Sequence, residues 1–150
     1  MMKISKIIFA IILLCPALSV YSQVVSDFIV IDEIADNMTQ LQAEFKDQPN
    51  VYWTDGTTIN AVRQITIASE GKQIENLHIY VPTKPGAIVF SSFAITSYDV
   101  EEVAEELKAL SNFVDNSVVI HSEVVFNGEE GQLLKQKLEE ITGLLFTTQN

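Results

Sequence analysis

The sequence predicts an α/β domain, a three-layer sandwich built on a mainly parallel sheet. Two observations carry this: short β-rich apolar runs alternate with amphipathic stretches, and the last long run is apolar without alternation. Phe28-Ile29-Val30-Ile31 opens the series as a buried strand that runs into Asp32-Glu33. Asp36 is placed to cap a helix carrying Met38, Leu41 and Phe45 at helical spacing. Val51 to Thr54 forms a second strand, and Asp55-Gly56 turns the chain. Thr58 starts a helix with Ile59, Val62 and Ile65 on one side. A third strand, Leu77 to Val81, is stopped by Pro82 and by Pro85-Gly86. Ile88 to Phe90 and Phe93 to Ile95 make a small hairpin insertion around Ser91-Ser92.

Asp99 followed by Glu102 resembles a capping box. The helix behind it turns Val100, Val103, Leu107, Leu110 and Val114 inward and Glu101, Glu105 and Glu106 to water. Ser117 to His121 is a fourth strand whose unbroken apolar run implies burial on both faces. Gly128 to Thr142 is the last helix, with Leu134, Leu138 and Ile141 inward and Gly143 as its stop. Leu144 to Thr147 is the fifth strand.

Residues 1–22 read as a secretory signal peptide. Lys3 and Lys6 precede an apolar stretch interrupted by Pro16, and Val20 and Ser22 fit cleavage before Gln23. The remaining 128 residues, 23–150, are one domain's worth, with no membrane span after cleavage. The style of the leader suggests a bacterial protein, periplasmic or secreted. Hydrophobic residues at 47% and charged residues at 19% fit a globular chain and not a disordered one.

Charge and cysteine usage exclude whole classes of function. The formal charge of −11 becomes −13 once the two leader lysines are removed, a field that repels nucleic acid and anionic lipid. Cys15, the sole cysteine, lies in the leader, so the mature chain has no thiol nucleophile, disulfide or thiolate metal ligand. Neither glycine-rich nucleotide loop occurs, nor does G-x-S-x-G, and no cofactor is expected. Asp32-Glu33 and Asp55 mimic the acidic pocket of a phospho-receiver. The third strand, however, ends in Pro82 and the fifth in Thr147-Thr148, where that chemistry needs an acid and a lysine. These acids are therefore expected to be solvated strand-end groups.

The segment from Leu77 to Gly86, LHIYVPTKPG, resembles the "l-H-i-v-S-H-G-x-P-G" stretch of the domain of unknown function 4347 family. Resemblance continues from Val118 to Gly131, and includes Phe28 to Asp32, Asp55-Gly56 and Ile141-Thr142-Gly143. That family is related to caspase-like (clan CD) proteins, which implies a flavodoxin-like strand order of 2-1-3-4-5. It also implies a histidine after the third strand and a cysteine after the fourth, a thiolate nucleophile with its proton-handling imidazole. Alignment on Pro85-Gly86 puts Pro82 at the histidine's place, and alignment on Gly131 puts Glu123 at the cysteine's. Both dyad positions are degenerate, and no catalytic residue is expected.

What remains is a residual polar cluster, His78, His121 and Glu123, with Ser122 alongside. Alternate residues of neighbouring strands share a face, so acid–base or metal chemistry is conceivable there, but locally bonded histidines are the simpler expectation. Tyr52, Trp53, Tyr80 and Phe90 are expected in the core rather than in a sugar or peptide pocket. Glu101 to Glu106 and Glu129-Glu130 read as solvated helix faces, with no D-x-D-x-D-G calcium loop. The expected function is an exported, non-catalytic module that binds protein, peptide or glycan at the cell surface. Alternatives are a hydrolase rebuilt around His78, His121, Ser122 and Glu123, and a structural subunit of a surface or secretion assembly.

Overall fold

Five parallel strands form the central layer of the protein in a computed structural model that describes residues 22–57 and 59–150. They are β1 (Gln23–Asp32), β2 (Val51–Thr54), β3 (Lys72–Tyr80), β6 (Val114–His121) and β7 (Leu145–Thr148), ordered β2-β1-β3-β6-β7. This is the order the resemblance implies. The expected hairpin is β4 (Ala87–Val89) against β5 (Ala94–Thr96), antiparallel and separate from the main sheet. The proposed signal peptide lies outside the described residues, apart from Ser22.

Strand alternation sorts the side chains into two cores. Val30, Leu77, Ile79, Val118, Ile120 and Phe146 face α2 (Ala61–Ser69), α3 (Ala104–Leu110) and α4 (Gly128–Thr142), forming the larger core with their buried residues. Ile31 faces the other way and packs with Leu41 and Phe45 of α1 (Met38–Phe45), flanked by Ile29, Val51, Trp53 and Tyr80. The layers are thus three helices, the sheet, and one helix. The smaller core includes no residue of β6 or β7.

Several boundaries differ from expectation, each for a local reason. β1 begins five residues before Phe28, because Gln23 to Asp27 pair with Lys72 to Asn76 although most of them are exposed. Val114, expected on a helix, is the first residue of β6, and the carbonyl before it already accepts the Ile74 N–H. The helical segment starts as a 3-10 turn, Val100–Val103, before α3. Asp99 does not cap it: its Oδ1 accepts from Thr96 N–H and Oγ1, behind it in sequence. Glu106 is half-buried rather than solvated.

Asp36 likewise does not cap α1. Asn37 occupies that place in the left-handed region, and Asp36 Oδ2 instead accepts the Thr83 N–H at 2.7 Å, tying the α1 entry to the loop after β3. Helix α2 begins at Ala61, capped by Asn60 Oδ1 accepting from Arg63 N–H. Thr58, expected as its start, lies outside the described residues, and Ile59 precedes the helix and is exposed. Helix α4 runs over the expected residues and stops at Gly143, left-handed with φ 71°, whose N–H donates to Glu139 O.

Candidate functional site

A cleft of about 500 Å³ opens at the carboxyl ends of β3 and β6, where open α/β sheets place their ligands. Proline has no N–H to continue a ladder, so β3 gives way at Pro82 to a loop, and Ser122 N–H donates to Ile120 O to turn the chain out of β6. The two loops are joined by Gly86 N–H donating to Val125 O. Helix α1 contributes Gln40, Leu41 and Glu44 as the opposite wall.

The predicted residues divide as follows. His121, Ser122 and Glu123 line the cleft, as do Val81 and Thr83 on either side of Pro82. His78 is brought to His121, its Nδ1 standing 3.0 Å from His121 Nε2. Glu123 is exposed and makes no hydrogen bond or ion pair to either histidine, so the expected three-residue cluster is a pair of imidazoles plus a separate carboxylate. Of the four aromatic residues, Tyr80 lines the cleft, Phe90 is buried, and Tyr52 and Trp53 pack against the cores. Glu129 and Glu130 are exposed, and Tyr98 donates to Glu130 Oε1.

The histidine pair belongs to a chain of three groups. Asp27 Oδ1 lies 3.2 Å from His78 Nε2. Desolvation raises the Asp27 pKa, but hydrogen bonds from Ser26, His78 and Asn76, with the His78 charge, outweigh it and hold the carboxyl below its ordinary value. An ionised carboxylate only accepts, so His78 Nε2 carries the proton toward it. Between the two rings one nitrogen donates and the other accepts: His78 Nδ1 accepts from His121 Nε2 when His78 is neutral and donates to it when His78 is protonated. His121 is pushed down to about 4 by burial and secondarily by the His78 charge, so its ring is neutral at pH 7. Tyr80 holds the ring flat, its own ring stacked at 3.8 Å and 9°.

This arrangement is poor for metal. The imidazole centroids are 5.3 Å apart and the facing nitrogens, at 3.0 Å, are engaged with each other in a hydrogen bond rather than converging on one point. No group of three metal-ligating side chains occurs among the described residues.

The histidine pair has a measurable pH consequence. His121 titrates near 4 when folded and near 6.5 when unfolded, so the unfolded chain binds the extra proton between these values. Stability from this group is complete above pH 6.5 and is lost as pH falls toward 4. The ring is only half buried and solvent screens the penalty, so the loss should be about 1–2 kcal/mol. Urea midpoints at pH 7.0 and 5.0 should diverge in the wild type and much less in His121→Phe, which keeps the Tyr80 stack without a titrating group. Equal divergence in both proteins would assign the pH dependence elsewhere.

Asp32 corrects the expectation of solvated strand-end acids. It is 0% exposed, and its carboxylate accepts from Ile34 N–H, Thr54 Oγ1, Ser91 N–H and Ser91 Oγ at 2.8–3.1 Å. The acid clasps the ends of β1 and β2 to the hairpin. Glu33 and Asp55 do remain exposed, though Glu33 Oε1 accepts the Gly56 N–H.

Fold and cleft together define a three-layer α/β domain with its candidate site at the ends of parallel strands. No helix among the described residues is long and apolar enough to cross a membrane. Residues 28–150 match the family described as Domain of unknown function (DUF4347), and the chain belongs to that family. No curated protein and no solved structure matches the chain.

Proposed function

We propose that this chain is an exported, non-catalytic binding module of caspase-like descent, working at the bacterial cell surface or in the periplasm. In this reading the cleft retains the place of a lost active site and holds a protein, peptide or glycan. The supporting observation is that Val81, Thr83, Ser122 and Glu123 line a real cavity, while residues 23–150 contain no cysteine and position 82 is proline. Cleavage after Ser22 would also leave β1 whole, since its ladder begins at Gln23, whose N–H donates to Gly71 O. The exported form should have the intact mass of residues 23–150, and recovery of the uncleaved chain in membranes would argue against export.

Binding is tested by thermal shift against panels of short peptides and oligosaccharides. A ligand at 100 times its Kd should stabilise the fold by about 2.7 kcal/mol. The effect should vanish in Gln40→Trp, which fills the cleft from an exposed position on α1. Binding that survives this change would place the ligand elsewhere. The His78–His121 hydrogen bond favours the second reading, a rebuilt hydrolase. Turnover of peptide or ester substrates by the wild type, lost in His121→Ala, would replace the binding reading with that one.

A further inference from the structure

We infer that Gln23 is a modification site: released as the first residue of the exported chain, it closes on its own amine to a pyroglutamyl lactam. This rests on the export reading above, which places cleavage after Ser22, and goes beyond it by assigning what the new terminus becomes. Before cleavage the Gln23 nitrogen belongs to a peptide bond, and resonance ties up its lone pair. Cleavage turns it into a primary α-amine, which titrates at about pH 8, so roughly a tenth of it is uncharged at neutral pH. That nitrogen attacks the side-chain carbonyl carbon, Cδ. The N–Cδ bond forms, the bond from Cδ to the amide nitrogen breaks, and ammonia leaves carrying a proton from the amine. Both reacting groups belong to one residue, so the step is intramolecular and consumes no second reactant.

The structure leaves both groups free to react. Gln23 is exposed, and its side-chain amide makes no hydrogen bond among the described residues. Its nitrogen donates to Gly71 O at 2.9 Å, and an uncharged amine can make that bond and still offer its lone pair. The surroundings are open: Val24 is 74% exposed, and a Cβ built on Gly71, across the ladder, would meet no atom within 4 Å. Closure changes only the atoms of Gln23, so Val24 stays opposite Gln73 and Val25 opposite Ile74. The position also says what the lactam does. No spare residue precedes the ladder, and Val25, two positions in, is 3% exposed and part of the larger core. Chain termini are where proteolysis starts, and an aminopeptidase that removed Gln23, Val24 and Val25 would take ladder and core together. A lactam offers such an enzyme no free amine, so closure protects the head of β1.

The test is intact-mass measurement and amino-terminal sequencing of the form exported by cells that express the full chain, beside the variant Gln23→Ser. Export alone predicts the mass of residues 23–150, and closure predicts that mass less one ammonia. The wild type should give no sequence until pyroglutamyl aminopeptidase is added, and should then read from Val24. Gln23→Ser should keep the full mass of its own residues 23–150 and sequence directly from position 23. Incubated with a broad-specificity aminopeptidase, the wild type should hold its mass while Gln23→Ser loses its first residues. Equal trimming of the two proteins, or a lactam that appears only on storage, would overturn the protective role. A full-mass chain that sequences from a free glutamine would overturn the closure and leave the export reading standing. An uncleaved chain, or one that begins at another residue, would overturn both.

Discussion

Asp32→Ala should lower the unfolding free energy by about 3–5 kcal/mol, the largest effect of any single change considered for this domain. Alanine leaves two backbone N–H groups and two hydroxyls without the carboxylate that now accepts from all of them. Asp32 is fully enclosed, so water cannot substitute without opening the packing between β1, β2 and the hairpin. Asp32→Asn should recover only part of the loss, because its amide turns a donor toward donors. Urea denaturation measures both, and a cost below about 1 kcal/mol for alanine would mean that the clasp contributes little.

Gly131→Ala should cost about 2–3 kcal/mol, although alanine favours helix over glycine by nearly 1 kcal/mol. A Cβ at this position would stand 2.6 Å from Phe126 C, 2.7 Å from Val125 O and 2.8 Å from Phe126 Cα. All three are backbone atoms, and no rotamer can relieve the clash. The loop after β6, whose Ser122, Glu123 and Val124 line the cleft, must move, and with it the Val125 carbonyl that accepts from Gly86 of the loop after β3. Ligand affinity should therefore fall together with stability. Gly128→Ala is the control: its φ of 73° strains alanine, but no atom lies within 4 Å, so its cost should be about 1–2 kcal/mol with the cleft unaffected. An unchanged midpoint for Gly131→Ala would show that the loop yields freely.

The parts legible in the sequence were those governed by local pattern. An unbroken apolar run identified the doubly buried Val118 to Ile120, and glycines at both ends bounded α4. The strand order implied by the family resemblance sets the third strand beside the fourth, and parallel strands bring their carboxyl ends together, so Pro82 and Glu123 were expected at adjacent strand ends. Features set by tertiary contact were not legible. The N-terminal half of β1 alternates mostly exposed residues and is held by its partner strand, not by its own hydrophobicity. Asp36 and Asp99 have the composition of helix caps, yet distant or preceding donors claimed them. The two histidines were named as a pair, but their contact is diagonal, with His78 opposite Val119 and His121 opposite Tyr80. Asp27 was not singled out, since nothing in its spacing distinguishes it from other exposed acids. Asp32 gave no sign of burial because the hairpin that covers it closes from 59 residues away.

The order of strands also sets a timetable for folding. Every ladder of the main sheet joins distant residues: Ile29 pairs with Val51, Val118 with Phe146, Ile74 with Val114, and Gln23 with Lys72. Only β4 and β5 can zip locally. Such non-local pairing predicts acquisition of the native state in milliseconds to seconds rather than microseconds. A chain emerging amino end first presents β1 long before β3 exists to receive it, and β3 in turn waits for β6. During that interval the apolar runs of β1 and β3 are open to each other's copies, so crowding at synthesis or passage should favour aggregation, and a holding chaperone should raise the yield.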